Sequence, residues 1–396
     1  MTYSFDRITD RTGTYCTQWD YIEDRFGEAK LLPFSISDTD FQTPPEVMNA
    51  LTKRLEHGIF GYTRWNHKEF KASIQKWYRE RFSTELDEDW IVYSPSVIYT
   101  IAKIIEMLTD KEDHIVIQTP AYDAFFKMIT DNNRQISRNP LLEADGKYVI
   151  DFADLEKRLA HPKAKVLLLC SPHNPTGRVW TATELEQLVS LCQKYHVYII
   201  SDEIHMDIVM QPNKHIPIIS KAMNLQNVCI CTSASKTFNT PGLIGSYAII
   251  PGETIKDEFL LTLKNKDGLS STSILGLTAT IEAYQSCGSW VDDMNDYIKE
   301  NLTLTKEFLE MNQLGMTLQI PEATYLAWIN TKKLPYSPEQ IQQALIHEGK
   351  VAIMAGETYG ADGRGYLRMN LGCPRPKLTD GLTRIKQAIH YLNNNS

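Results

Sequence analysis

Five short apolar runs punctuate the middle of the chain: residues 114–118 (HIVIQ), 166–170 (VLLLC), 197–201 (VYIIS), 228–232 (VCICT) and 245–250 (GSYAII). Each has the length of a strand and is rich in Val or Ile. Near-continuous hydrophobicity of this kind marks strands covered on both faces, so most are expected inside a sheet. Between the second and third runs, residues 181–196 (TATELEQLVSLCQKYH) place Leu185, Leu188, Val189 and Cys192 on one face, with Thr181 and Glu184 in capping-box spacing. A strand, helix, strand unit follows, and such units cross over right-handed into a parallel sheet.

In parallel α/β sheets ligands bind beyond the carboxyl ends of the strands. Polar, turn-prone segments stand at those ends here: TPAYD, SPHNPTG, DEIH and SASK. From about Ser286 the pattern changes to a long amphipathic helix (WVDDMNDYIKENLTLTKEFLEMN), then short strands such as TYLAWI and a closing helix. Two domains are therefore expected: a large one over residues 46–285 and a small one over 286–396, with the N-terminal segment 1–45 joining the small one.

Composition narrows the function. The 396 residues are 42% hydrophobic and 23% charged, which is ordinary for a globular protein. No stretch approaches the roughly 18 apolar residues of a membrane span, and the opening MTYSFDRITDRTG lacks an apolar targeting core, so a cytoplasmic protein is expected. A net charge of -8 argues against nucleic acid as a partner, because phosphate binding needs clustered Lys and Arg. Anionic small ligands must then be held by local cations. The seven cysteines are scattered, with neither C-x-x-C pairs nor His at metal spacing, and are expected to be buried free thiols; no metal site is expected.

Candidate chemistry gathers at the predicted strand ends. Lys236, in TSASKTFN, is placed for partial desolvation, which lowers an amine's pKa and frees it for Schiff-base formation; a solvated loop lysine is the alternative. Asp202 closes the IISD run, where a carboxylate can pair with a cationic ring nitrogen or simply cap a following helix. His205, one turn on, can reach a bound ring, back up Asp202, or pack as a hydrogen-bonded histidine. Asn174 in SPHNPTG is an amide donor or a turn former. Ser96, Val97 and Ile98 open an apolar helix (VIYTIAKIIEML) after the strand-like IVYSP, and backbone amides with a hydroxyl at a helix start suit an anion. Ser233 and Ser235 add hydroxyls, or only cap. Tyr122 in TPAYDAFF suits stacking on a flat ring, or the core. Arg368 in GYLRMN is the candidate for a bidentate grip on a carboxylate, or a surface residue beside a strand.

With these residues assembled, the chain resembles fold-type I pyridoxal-phosphate enzymes, and within them the MalY/PatB carbon-sulfur beta-lyases, over nearly its full length. Segments that carry the likeness include CTQWDYIEDRFG, LLPFSISD, HGIFGYTRW, SPSVIYTI, TPAYDAFFK, LLLCSPHNPTGRVW, SDEIHMD, KDGLSS, TYLAWI and RGYLRMNLGCPR. The resemblance implies an α/β fold with a mostly parallel central sheet, helices on both faces and a smaller α+β domain. It makes Lys236 the Schiff-base lysine, Asp202 the partner of the pyridine nitrogen and Tyr122 the stacking ring. Asn174 and His205 face the phenolic oxygen, and Arg368 binds the substrate α-carboxylate. Tyr62, which from the residues alone reads as core, would reach the cofactor phosphate of a neighbouring subunit in a two-fold dimer.

The implied cofactor is pyridoxal 5'-phosphate and the implied substrate an amino acid such as cystathionine, split to pyruvate, ammonia and a thiol. An aminotransferase is the alternative within the same fold, and a regulatory protein that binds a maltose-regulon transcription activator is the alternative outside enzymology. Two departures stand out. Ile244 occupies the place where many aminotransferases carry a phosphate-clamping Arg, and Thr39 in SISDTDF stands where similar lyases have Met.

Overall fold

The computed structural model describes residues 3–144 and 146–395. At its centre lies a seven-stranded sheet made of β1 (Ile91–Ser94), β2 (His114–Thr119), β3 (Gln135–Pro140), β4 (Ala164–Cys170), β5 (Tyr198–Asp202), β6 (Val228–Thr232) and β7 (Ser246–Ile249). Their spatial order is β1-β7-β6-β5-β4-β2-β3. Only β7 runs against its neighbours, β1 and β6; the remaining pairs are parallel. All five apolar runs of the sequence are interior strands. The edge strand β3 (QISRNP) was invisible to that pattern, because burial alternates along it and its buried positions, Ser137 and Asn139, are themselves polar.

Successive residues of the interior strands feed two different cores, as the pleat requires. Val116, Leu167, Leu169, Ile199, Ile230 and Tyr247 join one apolar cluster. Ile115, Ile117, Leu168, Ile200, Cys231 and Ala248 join the other, which α1 (Val97–Leu108) covers. The predicted crossover helix is α2 (Ala182–Lys194), between β4 and β5, and Thr181 and Glu184 close the reciprocal capping box at its start. All seven cysteines are free and buried.

A second, four-stranded sheet is antiparallel throughout, in the order β8 (Thr317–Leu318), β9 (Leu326–Asn330), β11 (Tyr366–Asn370), β10 (Met354–Ala355). Beside it the N-terminal segment forms a separate two-stranded sheet, Leu32–Pro33 pairing in parallel with Val351–Ala352; Phe34 N–H donates to the Ala352 carbonyl at 2.8 Å, and its carbonyl accepts the Asn370 N–H of β11 at 2.9 Å. Phe34 then packs so tightly on the closing helix α4 (Arg375–Asn394) that a Cβ at Gly381 would sit 2.4 Å from its ring.

One glycine sets how the sheet meets the candidate site. Gly276, in α3 (Ile274–Ser286), lies against backbone: a Cβ there would be 2.1 Å from the Ile244 carbonyl oxygen. Neither partner is a flexible side chain, so Gly276→Ala forces the segment ahead of β7 to move. Overpacking of this kind costs about 1–3 kcal/mol. The variant is expected to unfold at lower urea concentration and to bind ligand more weakly in the adjoining cavity, measured by denaturant titration and by ligand titration of folded protein.

Candidate active site

A cavity of about 270 Å³ opens where β4, β5 and β6 end and where α1 begins. Chain reversals after these strands are what supply its lining. Ser96, Val97 and Ile98 come from the start of α1, Tyr122 from the turn after β2, and Asn174 from the turn after β4. Asp202 is the last residue of β5, His205 follows in the next turn, and Ser233, Ser235 and Lys236 follow β6. Three sequence expectations about local structure need correction. Lys236 sits in a single helical turn, Ser235–Phe238, instead of a loop. No helix follows Asp202; its Oδ1 accepts the Ile204 N–H at 3.1 Å in a turn. Arg368 lies mid-strand in β11, not at an element end, and is buried.

Two groups in the cavity are far from their usual protonation. Burial pushes the Lys236 ammonium down to about 8; Asp38 opposes that shift, Arg368 adds to it, and Asp202 opposes it. Burial also drives the Asp202 carboxyl up to about 7, against the Ile204 N–H and the Lys236 charge, which favour the anion. Among the described residues Asp202 has no ion pair. Burial takes His205 down to about 3, and its Nδ1 is buried without a partner, so a neutral ring faces the cavity. His205 does not back up Asp202 through a hydrogen bond; its ring meets Tyr325 edge-on at 6.0 Å.

Around these groups, other side chains already bond to the protein. Arg368 donates from Nη1 to Asn174 Oδ1 at 3.1 Å and from Nη2 to the Ser35 carbonyl at 2.9 Å, and its guanidinium lies over Tyr359 at 4.5 Å. Its Nε is buried and unpartnered. Ser96 caps α1 by accepting the Tyr99 N–H at 3.1 Å, which leaves the amides of Val97 and Ile98 at the helix start. Ser233 donates to the Gly245 carbonyl at 2.6 Å and lies 2.9 Å from the Ser235 hydroxyl. Tyr62 is not in the cavity. It is fully exposed on this chain, beside exposed Ile59 and Phe60, so the core reading of that tyrosine fails.

Several residues that shape the site were not singled out from the sequence. Glu203, next to Asp202, points to the other face of the sheet, where Ser201 donates to it at 2.9 Å, the Ile218 N–H donates at 2.9 Å and His215 lies at 2.8 Å. Asp207 accepts from Trp77 at 2.8 Å and from Thr237 at 2.9 Å, bracing the turn that carries Lys236. The strap from Ser35 to Asp38 closes over the site: Ser37 offers its carbonyl to Lys236 and to Tyr325, and Asn370 holds the carbonyls of Ile36 and Asp38. A strand-to-polar transition marks none of these positions. Beyond the strap a wider vestibule of about 610 Å³ shares Ser37, Lys236 and Pro241 with the cavity, and Arg11, Asp38 and Thr39 line it. Thr39 thus stands in the vestibule wall, with its methyl group turned toward Gly372.

Sheet order and strand-end site together define the fold of the fold-type I pyridoxal-phosphate enzymes. The chain belongs to the aminotransferase class I and II family, which it matches over residues 29–385. It is 47% identical to the protein MalY of Escherichia coli (strain K12), over 98% of this chain and 99% of that one. To cystathionine beta-lyase PatB of Bacillus subtilis (strain 168) it is 36% identical, over 98% and 100% of the two chains. The crystal structure of the PLP-bound C-S lyase from Staphylococcus hominis aligns with a TM-score of 0.89 at 31% identity, covering 98% of this chain and 99% of that one.

The donor set fits pyridoxal phosphate. A buried carboxylate lacking a cation suits a protonated ring nitrogen, a buried unpartnered His205 Nδ1 faces inward, and a helix start flanked by hydroxyls suits a phosphate without any Arg. Ile244 is half exposed at the rim, consistent with a phosphate site built from amides.

Asp202 has a measurable consequence for the cofactor-free protein. An acid whose folded pKa lies above its unfolded value of 3.8 destabilises the fold as pH rises from there to about 7, because the folded state then retains a proton the unfolded state has lost. Asp202→Asn removes this cost. Apoprotein carrying Asp202→Asn is expected to melt at a higher temperature than wild type at pH 8 and at the same temperature near pH 4, as followed by circular dichroism; a lower melting temperature at pH 8 would contradict the unpaired carboxylate.

Proposed function

We propose that the protein is a pyridoxal-phosphate-dependent carbon-sulfur beta-lyase that cleaves L-cystathionine and related cysteine S-conjugates to pyruvate, ammonia and a thiol. The observation that carries this reading is Lys236, an amine held near neutrality beside Asp202 at the strand ends, in a chain 36% identical to a named cystathionine beta-lyase. The bound cofactor supplies an electron sink for the pair left behind when the substrate Cα loses its proton. Lys236 is the amine that carries the cofactor between turnovers and, once displaced by substrate, accepts the Cα proton on Nζ. A group that titrates at about 8 offers a useful fraction of neutral amine at physiological pH.

The remaining residues orient and shield. Asp202 keeps the ring nitrogen protonated, and its own proton affinity falls once it faces that cation. Tyr122 covers the ring, while Asn174 and neutral His205 face its phenolic oxygen. The amides of Val97 and Ile98 with the hydroxyls of Ser96, Ser233 and Ser235 hold the phosphate. Arg368 exchanges the Ser35 carbonyl for the substrate α-carboxylate, a charge-assisted pair that locks the Cα–H bond toward Lys236.

We read the active assembly as a two-fold homodimer in which Tyr62 donates to the phosphate held by the partner subunit. Full exposure of Tyr62, beside the exposed apolar side chains of Ile59 and Phe60, in the isolated chain supports this. The free, buried cysteines suit the cytoplasm, and we place the domain boundaries at residues 45 and 285.

Three measurements test the proposal. Incubation with cystathionine and no oxo-acid acceptor should release pyruvate continuously; arrest after a single turnover would instead identify an aminotransferase. Lys236→Ala should lose both pyruvate release and borohydride-fixed cofactor on that residue, and retained turnover would refute its role. Tyr62→Phe should stay dimeric by sedimentation yet bind the cofactor roughly tenfold more weakly, the cost of one charge-assisted hydrogen bond of about 1.5 kcal/mol; unchanged cofactor affinity would remove Tyr62 from the phosphate site.

A further inference from the structure

The proposed lyase leaves Asp38 without a task, although the fold spends much effort on placing it. It belongs to the strap whose carbonyls are held by Arg368, Asn370, Tyr325 and Lys236 itself. Its Oδ2 accepts from Arg11 Nη2 at 2.6 Å, whereas its Oδ1 is buried with no hydrogen-bond partner at all. A buried carboxylate oxygen left unpaired is costly, and its presence asks for a cation that arrives at some stage of the cycle. Lys236 is the neighbour able to do so. Its Nζ already donates to the carbonyl of Ser37, one residue from Asp38, and both residues line the vestibule.

We propose that Asp38 is a positioning residue: the counter-charge that holds a proton on Lys236 Nζ between its removal from the substrate Cα and its delivery to the departing sulfur. The Cα–H bond breaks with its proton passing to Nζ, its electron pair goes to the Cα–Cβ double bond as the Cβ–S bond breaks with its own pair on sulfur, and the Nζ proton neutralises the thiolate; the cofactor, when bound, would supply the electron sink that makes the Cα proton acidic. No oxidant or second reactant is consumed. The sulfur step rests on the lyase reading; the counter-charge itself does not.

Every charged group around the amine bears on the outcome. Asp38 approaches from the strap, Asp202 from the end of β5 and Arg368 from β11; His205 and Tyr325 complete the surroundings and carry no charge at neutral pH. Behind Asp38, Arg11 also binds Asp40, and Asp40 is bonded to Lys377. Asp38 is the largest electrostatic influence that favours the protonated lysine, opposing burial. Asp202 is committed to the ring nitrogen in the loaded enzyme, which leaves Asp38 as the anion that follows the proton.

Labelling of Lys236 in the apoprotein tests this without requiring turnover. Wild type, Asp38→Asn and Arg11→Gln are treated with limiting trinitrobenzenesulfonate from pH 6 to 10, and modification of Lys236 is read by peptide mass mapping. Asp38→Asn should label about threefold faster or more at pH 7, since a half-unit drop in an amine's pKa triples its neutral fraction. Arg11→Gln should label more slowly, because it unmasks the carboxylate. In the holoenzyme the acidic limb of the kcat profile should move to lower pH in Asp38→Asn with KM unchanged, and Asp38→Glu should restore it. An unmoved labelling midpoint in Asp38→Asn, or shifts of the same sign in both variants, overturns the proposal. Opposite shifts in a protein that releases no pyruvate from any cysteine conjugate would uphold the counter-charge and reject the lyase.

Discussion

A buried amine and a buried carboxylate share one cavity without bonding to each other. Had Lys236 and Asp202 formed a direct ion pair, each would have satisfied the other, and the cavity would have no unmet electrostatic demand. Instead, burial drives the two toward neutrality from opposite sides, Lys236 to about 8 and Asp202 to about 7. A flat, zwitterionic ligand with a cationic ring and an electrophilic carbon answers both needs together. The instability of the empty site is therefore part of its affinity for the cofactor.

Holding two uncomfortable groups apart requires rigid supports, and the strand ends provide them. Where β5 ends, neighbouring carboxylates part in opposite directions: Asp202 faces the cavity, whereas Glu203, just past the strand, is bonded on the other side by Ser201, His215 and the Ile218 amide. Asp207 performs the equivalent service for Lys236 through Thr237, anchored in turn by the Trp77 indole. These acidic residues differ little in sequence context. Their partners decide which one remains reactive.

The interior strands were legible because a strand covered on both faces leaves an uninterrupted apolar run, and the crossover helix because its capping box and apolar stripe agree. The edge strand β3 escaped since half its residues face outward, and Tyr62 was misread because an exposed aromatic and a core aromatic look alike until the fold is known. Lys236, Asp202 and Asn174 announced themselves by standing at strand ends. Asp38, Glu203 and Asp207 did not, since their roles come from partners brought in from distant parts of the chain, for which local pattern holds no signal. Arg368 lay between these cases: its residue type suggested the role, yet its mid-strand burial is a tertiary fact.

The bond between Arg368 and the Ser35 carbonyl joins residues 333 positions apart. The strap therefore has no partner for this bond until β11 is in place, on the far side in sequence from the whole central sheet. Native contacts of such long range form slowly and leave intermediates exposed to association. The carboxylate grip assigned to Arg368 is thus completed only when residues far apart in the chain have met, although the residues assigned to the cofactor all lie before β7.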